Sequence, residues 1–163
     1  MRARDVMTRA GDTLTPDTTL REASLLLEAA RDAGGGCHPR CLPVLDGQGA
    51  LVGLLSVRDI LKAVYPFYMT LSDVADLAWD GMLEHIAHKL ARKKVGEVMV
   101  KDLLAVHEDA PLMECLDHMM RRDEESLPVV GPDGRLKGMA HEADVLRAIT
   151  RSMEDGATLG GKS

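Results

Sequence analysis

The chain has 163 residues, 45% apolar and 28% charged, with a net charge of −6. That balance excludes a disordered chain, and without a sustained basic stripe it argues against a nucleic-acid backbone binder. Three cysteines, no signal peptide and no apolar run long enough to cross a bilayer predict a reducing, cytoplasmic setting rather than a disulfide framework.

In chain order, Val6-Met7 comes first, followed by a short leading strand expected near Leu14. Thr19-Leu20-Arg21-Glu22 has the form of a capping box. Leu20, Ala23, Leu26, Leu27 and Ala30 keep helical spacing, so a helix is predicted to about Ala33, where Gly34-Gly35-Gly36 stops it. Cys41 to Leu45 and Ala50 to Leu55 read as strands joined by the turn Asp46-Gly47-Gln48-Gly49. Ser56-Val57-Arg58-Asp59 then opens a helix to about Val64.

The same order returns later. Val98-Met99, Val106, Asp109, Leu112 and Glu114 answer Val6-Met7, Leu14, Asp17, Leu20 and Glu22 at a shift of 92. Leu127-Pro128-Val129-Val130, Gly134, Leu136, Gly138 and Asp144 answer Leu42-Pro43-Val44-Leu45, Gly49, Leu51, Gly53 and Asp59 at a shift of 85. The extra residues of the first copy lie around Gly34 to Arg40. A helix is predicted from about Leu112, strands over Leu127–Val130 and Leu136–Ala140, and a helix from about Glu142. Each copy alone is too small to bury a generous core, so the two are expected to fold against each other around a paired cleft.

Between the copies, Leu71, Val74, Leu77, Ala78, Met82, Ile86 and Leu90 fall on one helical stripe starting near Ser72. All four aromatic residues, Tyr65, Phe67, Tyr68 and Trp79, belong to this insert. It either packs over the repeats or offers a self-association surface. The resulting boundaries are residues 1–64 for the first repeat, 65–94 for the insert, 95–153 for the second repeat and 154–163 for a tail expected to be disordered.

Asp-Val-Met, then Thr-Pro-Asp-Thr-Thr-Leu, then Leu-Pro-Val, then Gly-Leu-Leu-Ser-Val-Arg-Asp, much of it occurring twice, resembles the cystathionine-β-synthase (CBS) domain, and two in tandem resemble a Bateman module. The resemblance covers Arg4 to about Leu61 and Val95 to about Ala148. It implies an α/β (α+β) fold of two pseudo-symmetric β-α-β-β-α repeats packed sheet to sheet, with the extra helix inserted between them. It also implies a homodimer and an adenosine-containing ligand in clefts between the repeats.

The family's ligand motif runs Gly, two apolar residues, Ser or Thr, two variable residues, Asp, and Gly53 to Asp59 fits it in full. A helix N-terminus presents N–H groups and positive dipole to phosphate. Ser56 adds a hydroxyl, Asp59 can accept from a ribose, and Arg58 offers a planar donor fork. The same Ser-x-x-Asp is also a capping arrangement that needs no ligand. In the second copy Asp144 is kept, but His141 replaces the hydroxyl and Glu142 adds negative charge. That site therefore takes a less charged adenosine compound or none, unless a protonated His141 donates to phosphate. Arg9 and Lys101, just after the two Val-Met pairs, are candidates for a phosphate contact or merely solvated.

Cys37, His38 and Cys41 are zinc-type ligands or a thiol pair, without a fourth ligand in the spacing. Glu84, His85 and His88 are a second weak metal candidate, and Cys115 falls on an apolar helix face. No nucleophile elbow, phosphate-cradling Gly-Lys loop or paired zinc motif is present. The expectation is a non-enzymatic, free-standing regulatory module with no obligatory cofactor, an adenine nucleotide or S-adenosylmethionine as regulatory ligand, and an unidentified partner protein. The alternatives are a ligand-free interaction module, or a thiol or metal sensor at Cys37, His38 and Cys41.

Overall fold

The computed structural model describes residues 1–32, 41–65 and 80–159. In chain order the elements are α1 (Ala3–Val6), β1 (Thr8–Arg9), α2 (Leu20–Asp32), β2 (Cys41–Leu45), β3 (Leu51–Ser56) and α3 (Val57–Val64). They continue with α4 (Met82–Leu90), α5 (Val95–Val98), β4 (Val106–His107), α6 (Leu112–Arg122), β5 (Ser126–Val130), β6 (Leu136–His141) and α7 (Glu142–Leu159). The fold is a mixed α/β one, and its two hairpins follow one register. Val44 faces Gly53 with a bulge before Leu45, and Val129 faces Gly138 with a bulge before Val130. Gly49 and Gly134 hold equivalent turn positions with φ of 81° and 75°, a left-handed backbone that side chains rarely adopt.

The hairpins sit in two compact units, one spanning Asp12–Leu103 and the other joining Met1–Gly11 to Leu104–Ser163. We refer to these as the first-copy and second-copy units. The start of each repeat therefore lies on the body of the other. In the second-copy unit the Ala3 N–H donates to Ala110 O at 2.9 Å and Arg4 N–H to Glu108 O at 3.0 Å. In the first-copy unit, Val95 N–H donates to Thr18 O at 2.8 Å and Gly96 N–H to Pro16 O at 2.9 Å. These are the same bonds displaced by 92 positions. In the second-copy unit the sheet order is β1-β6-β5-β4. The first-copy unit matches it with the β2–β3 hairpin flanked by single bridges, Leu14 to Val44 and Leu54 to Val100.

The exchange supplies part of the core that each repeat lacks. Ala3 is fully buried among Val106, Cys115, Met119, Leu127, Val129 and Val145. Val95 is fully buried among Leu14, Leu20, Leu27, Leu42, Val44 and Leu55. Both exchanged turns carry a carboxylate at their third position that caps the turn. Arg2 N–H donates to Asp5 Oδ2 at 2.7 Å, and Lys94 N–H to Glu97 Oε2 at 2.8 Å.

Of the insert, Leu90 on α4 packs against the first-copy cluster, and α4 lies against α3. The expected helix start near Ser72, with Phe67, Tyr68 and Trp79, lies outside the described residues, while Tyr65 is exposed. At the other end, α7 does not stop near Met153 but runs to Leu159. A single glycine, Gly156, costs a helix only about 1 kcal/mol, and Glu154, Ala157 and Leu159 around it are good helix formers.

Candidate functional site

In the first-copy unit β3 carries the chain to Ser56, which caps α3 from an extended backbone at φ −104° and ψ 161°. Ser56 N–H and Ser56 Oγ both donate to Asp59 Oδ2 at 2.8 Å, and Asp59 N–H donates to Ser56 Oγ at 3.1 Å. The capping reading of Ser-x-x-Asp is thus realised in full. Asp59 Oδ1 has no hydrogen-bond partner among the described residues, and both side chains are half-buried. Arg58 is exposed on the first turn of α3.

Gly53 of the motif has a steric duty of its own. A Cβ there would run into the Met99 thioether and approach Val100 O at 3.2 Å. Val100 crosses at this point, donating its N–H to Leu54 O at 2.9 Å and accepting from Leu54 N–H at 3.1 Å. Lys101, exposed, follows it. The basic residue beside the first motif is thus Lys101, contributed by the start of the second repeat.

The second-copy unit repeats the arrangement with Arg9. A Cβ on Gly138 would meet the Thr8 backbone, Arg9 faces Gly138 across the β1–β6 ladder, and Thr8 Oγ1 donates to Met139 O at 3.3 Å. The helix start differs. His141 Nδ1 and Ser126 Oγ share a 2.7 Å hydrogen bond, and the His141 N–H donates to Asp144 Oδ2 at 3.2 Å. Burial pushes the imidazole below its ordinary value, with Asp144 pulling the other way. Asp144 is 6% exposed, and its Oδ1 accepts from Arg147 Nη1 at 3.1 Å.

Ser126 and Arg147 are the side chains that contact His141 and Asp144, and neither is singled out by the sequence motifs. Ser126 faces His141 in the hairpin as Cys41 faces Ser56, so the repeat alignment combined with a hairpin register contained that signal.

Cys41 is buried in β2, while Cys37 and His38 lie outside the described residues. Glu84, His85 and His88 are exposed on α4. Among the described residues no group of three or more His, Cys, Asp or Glu is placed to hold a metal ion. Cys115 is fully buried, and burial followed by the neighbouring Glu114 pushes its thiol pKa up. No helix among the described residues is long and apolar enough to cross a membrane.

Two hairpin-and-helix copies, each with a glycine crossed by the other copy's leading segment and an Asp closing the helix start, define a tandem repeat-domain pair. The CBS domain family matches residues 3–66 and 95–151, and the chain belongs to that family. It is similar to a CBS domain-containing protein of Dictyostelium discoideum, 26% identical over 93% of this chain and 92% of that one. It is also similar to the inosine-5'-monophosphate dehydrogenase of Methanocaldococcus jannaschii, 29% identical over 90% of this chain, which spans only 23% of that enzyme. Among solved structures, CBSX2 in complex with AMP matches with a TM-score of 0.69 and 25% identity, covering 93% of this chain and 98% of that one.

Proposed function

We propose that the chain is a regulatory CBS pair that binds an adenosine-containing ligand at the Gly53–Asp59 turn and signals its level to a partner protein. The observation that carries this reading is the open Oδ1 of Asp59 at the N-terminus of an eight-residue helix, beside exposed Arg58 and Lys101. An acceptor for ribose hydroxyls thereby stands next to donors for phosphate. The likeness to CBSX2, whose structure contains AMP, supports the same chemistry. AMP, ADP, ATP and S-adenosylmethionine all fit this description. Binding alters output only if the ligand prefers one disposition of the chain over another.

The homodimer implied by the family belongs to the same proposal. Met113, Leu146 and Met153 are exposed on α6 and α7. Met113 and Met153 line a groove of about 460 Å³ together with Met1, Leu112, Leu116 and Ile149, the kind of apolar surface a partner covers.

The rival reading, a ligand-free interaction module, is favoured by the closed Ser56–Asp59 capping box, which needs no ligand for its stability. Thermal melts decide between the two. A ligand at 100 times its dissociation constant adds about 2.7 kcal/mol to stability, which the proposal expects for at least one of the four compounds and not for Asp59→Ala. If none of them moves the melting temperature, the sensor reading fails and the interaction module stands.

A further inference from the structure

Asp59 and Asp144 are equivalent in the repeat but not equally available. Asp59 spends one oxygen on its own cap and leaves Oδ1 open. Asp144 has both oxygens engaged, Oδ2 by the His141 N–H and Oδ1 by the Arg147 guanidinium. The carboxylate lies deep, while the Arg147 side chain that reaches it is 59% exposed. The residue equivalent to Arg147 in the first copy is Lys62, exposed on α3 and forming no ion pair with Asp59 among the described residues.

A guanidinium and a ribose diol are both donors, and they compete for the same carboxylate oxygen. The other changes at this turn act in the same direction. His141 brings a ring tied to Ser126 where the first copy has a hydroxyl, and exposed Glu142 places negative charge at the helix start that would otherwise receive phosphate. We propose that Arg147 is the specificity-determining residue of the pair, standing in for a ribose at Asp144, so that each chain holds one adenosine ligand, at the Gly53–Asp59 turn. This rests on the adenosine reading above.

Titration calorimetry of the full chain with AMP, ADP, ATP and S-adenosylmethionine tests it. The wild type is expected to bind one molecule per chain, and Asp59→Ala to lose at least about tenfold in affinity, or about 1.4 kcal/mol. Arg147→Met, alone or with His141→Ser, is expected to admit a second molecule, and Arg147→Lys, which reproduces the Lys62 of the first copy, is expected to do the same. Two molecules per wild-type chain would overturn the assignment of Arg147 and leave the adenosine reading standing. So would an unchanged stoichiometry in the folded Arg147→Met, His141→Ser double variant. No binding of any of the four compounds to any variant would remove both.

Discussion

Burial holds the His141 imidazole below its ordinary pKa of 6.5, and the Asp144 carboxylate opposes this without cancelling it. The folded chain therefore takes up a proton at this site less readily than the unfolded one. The stability that the neutral ring contributes is complete above the ordinary value. It is lost as pH falls from there through the lowered folded value. Replacing His141 by Asn, which keeps an acceptor for Ser126 but does not titrate, is expected to flatten the fall in melting temperature between neutral and mildly acidic pH. Parallel curves for wild type and variant would show that the ring does not carry this dependence. Apolar side chains divide by burial in the same quantitative way. Leu127 is fully buried in the second-copy cluster, and Leu127→Ala should cost about 2–5 kcal/mol in urea unfolding through lost transfer energy and a residual cavity. Met120, 62% exposed on the adjoining helix, should tolerate Ala within about 0.5 kcal/mol.

Helix ends test how the elements hold themselves. The Ser56 hydroxyl both accepts from Asp59 N–H and donates to the Asp59 carboxylate, so Ser56→Ala should cost about 0.5–2 kcal/mol even in the absence of ligand. Gly156 lies inside α7, exposed and with open space where a Cβ would stand. Gly156→Ala is expected to raise stability by about 0.5–1 kcal/mol in urea unfolding, and no gain would mean that this last stretch is frayed in solution. Elements of this kind were legible in the sequence because their signals are local. The Thr19–Glu22 capping box forms as its spacing predicts, with Glu22 N–H donating to Thr19 Oγ1 at 3.2 Å. The hairpin strands fall within one residue of their predicted ends because turn glycines and apolar runs bound them. The exchange of α1 and α5 was not legible, since four-residue turns carry little periodicity and their hydrogen-bond partners lie far away along the chain, as Ala110 does from Ala3 and Thr18 from Val95. The motif glycines could be seen, but the reason for them, the backbone crossing at Gly53 and Gly138, exists only after that exchange. Asp144 and Arg147 stand three apart on one helix, a spacing readable as a surface pair. What spacing could not convey is that Asp144 is buried while the Arg147 side chain that reaches it stays exposed.

At the level of the whole molecule, the exchange makes the first residues of the chain part of the second repeat's stability. Ala3 and Met7 pack into the cluster that also contains Cys115, and Thr8 and Arg9 form the ladder beside Met139 and Gly138. Deleting residues 1–11 should therefore act at a distance along the sequence. It is expected to raise amide hydrogen exchange over Leu136–His141, which loses its neighbouring strand, and to speed alkylation of Cys115, whose thiol is otherwise shielded by complete burial. The Cys41–Ser56 hairpin, in the other unit, should keep its protection, and peptide mass mapping separates Cys115 from the other two thiols. Ala3→Asp probes the same point with the chain intact, because it places an unpaired charge at a site with no exposure. If both hairpins loosen equally in the deletion and in the point variant, the leading segment steadies the fold as a whole. If only Leu136–His141 and Cys115 respond, each repeat depends on the opening segment of the other, and a change at either segment reaches the motif it crosses.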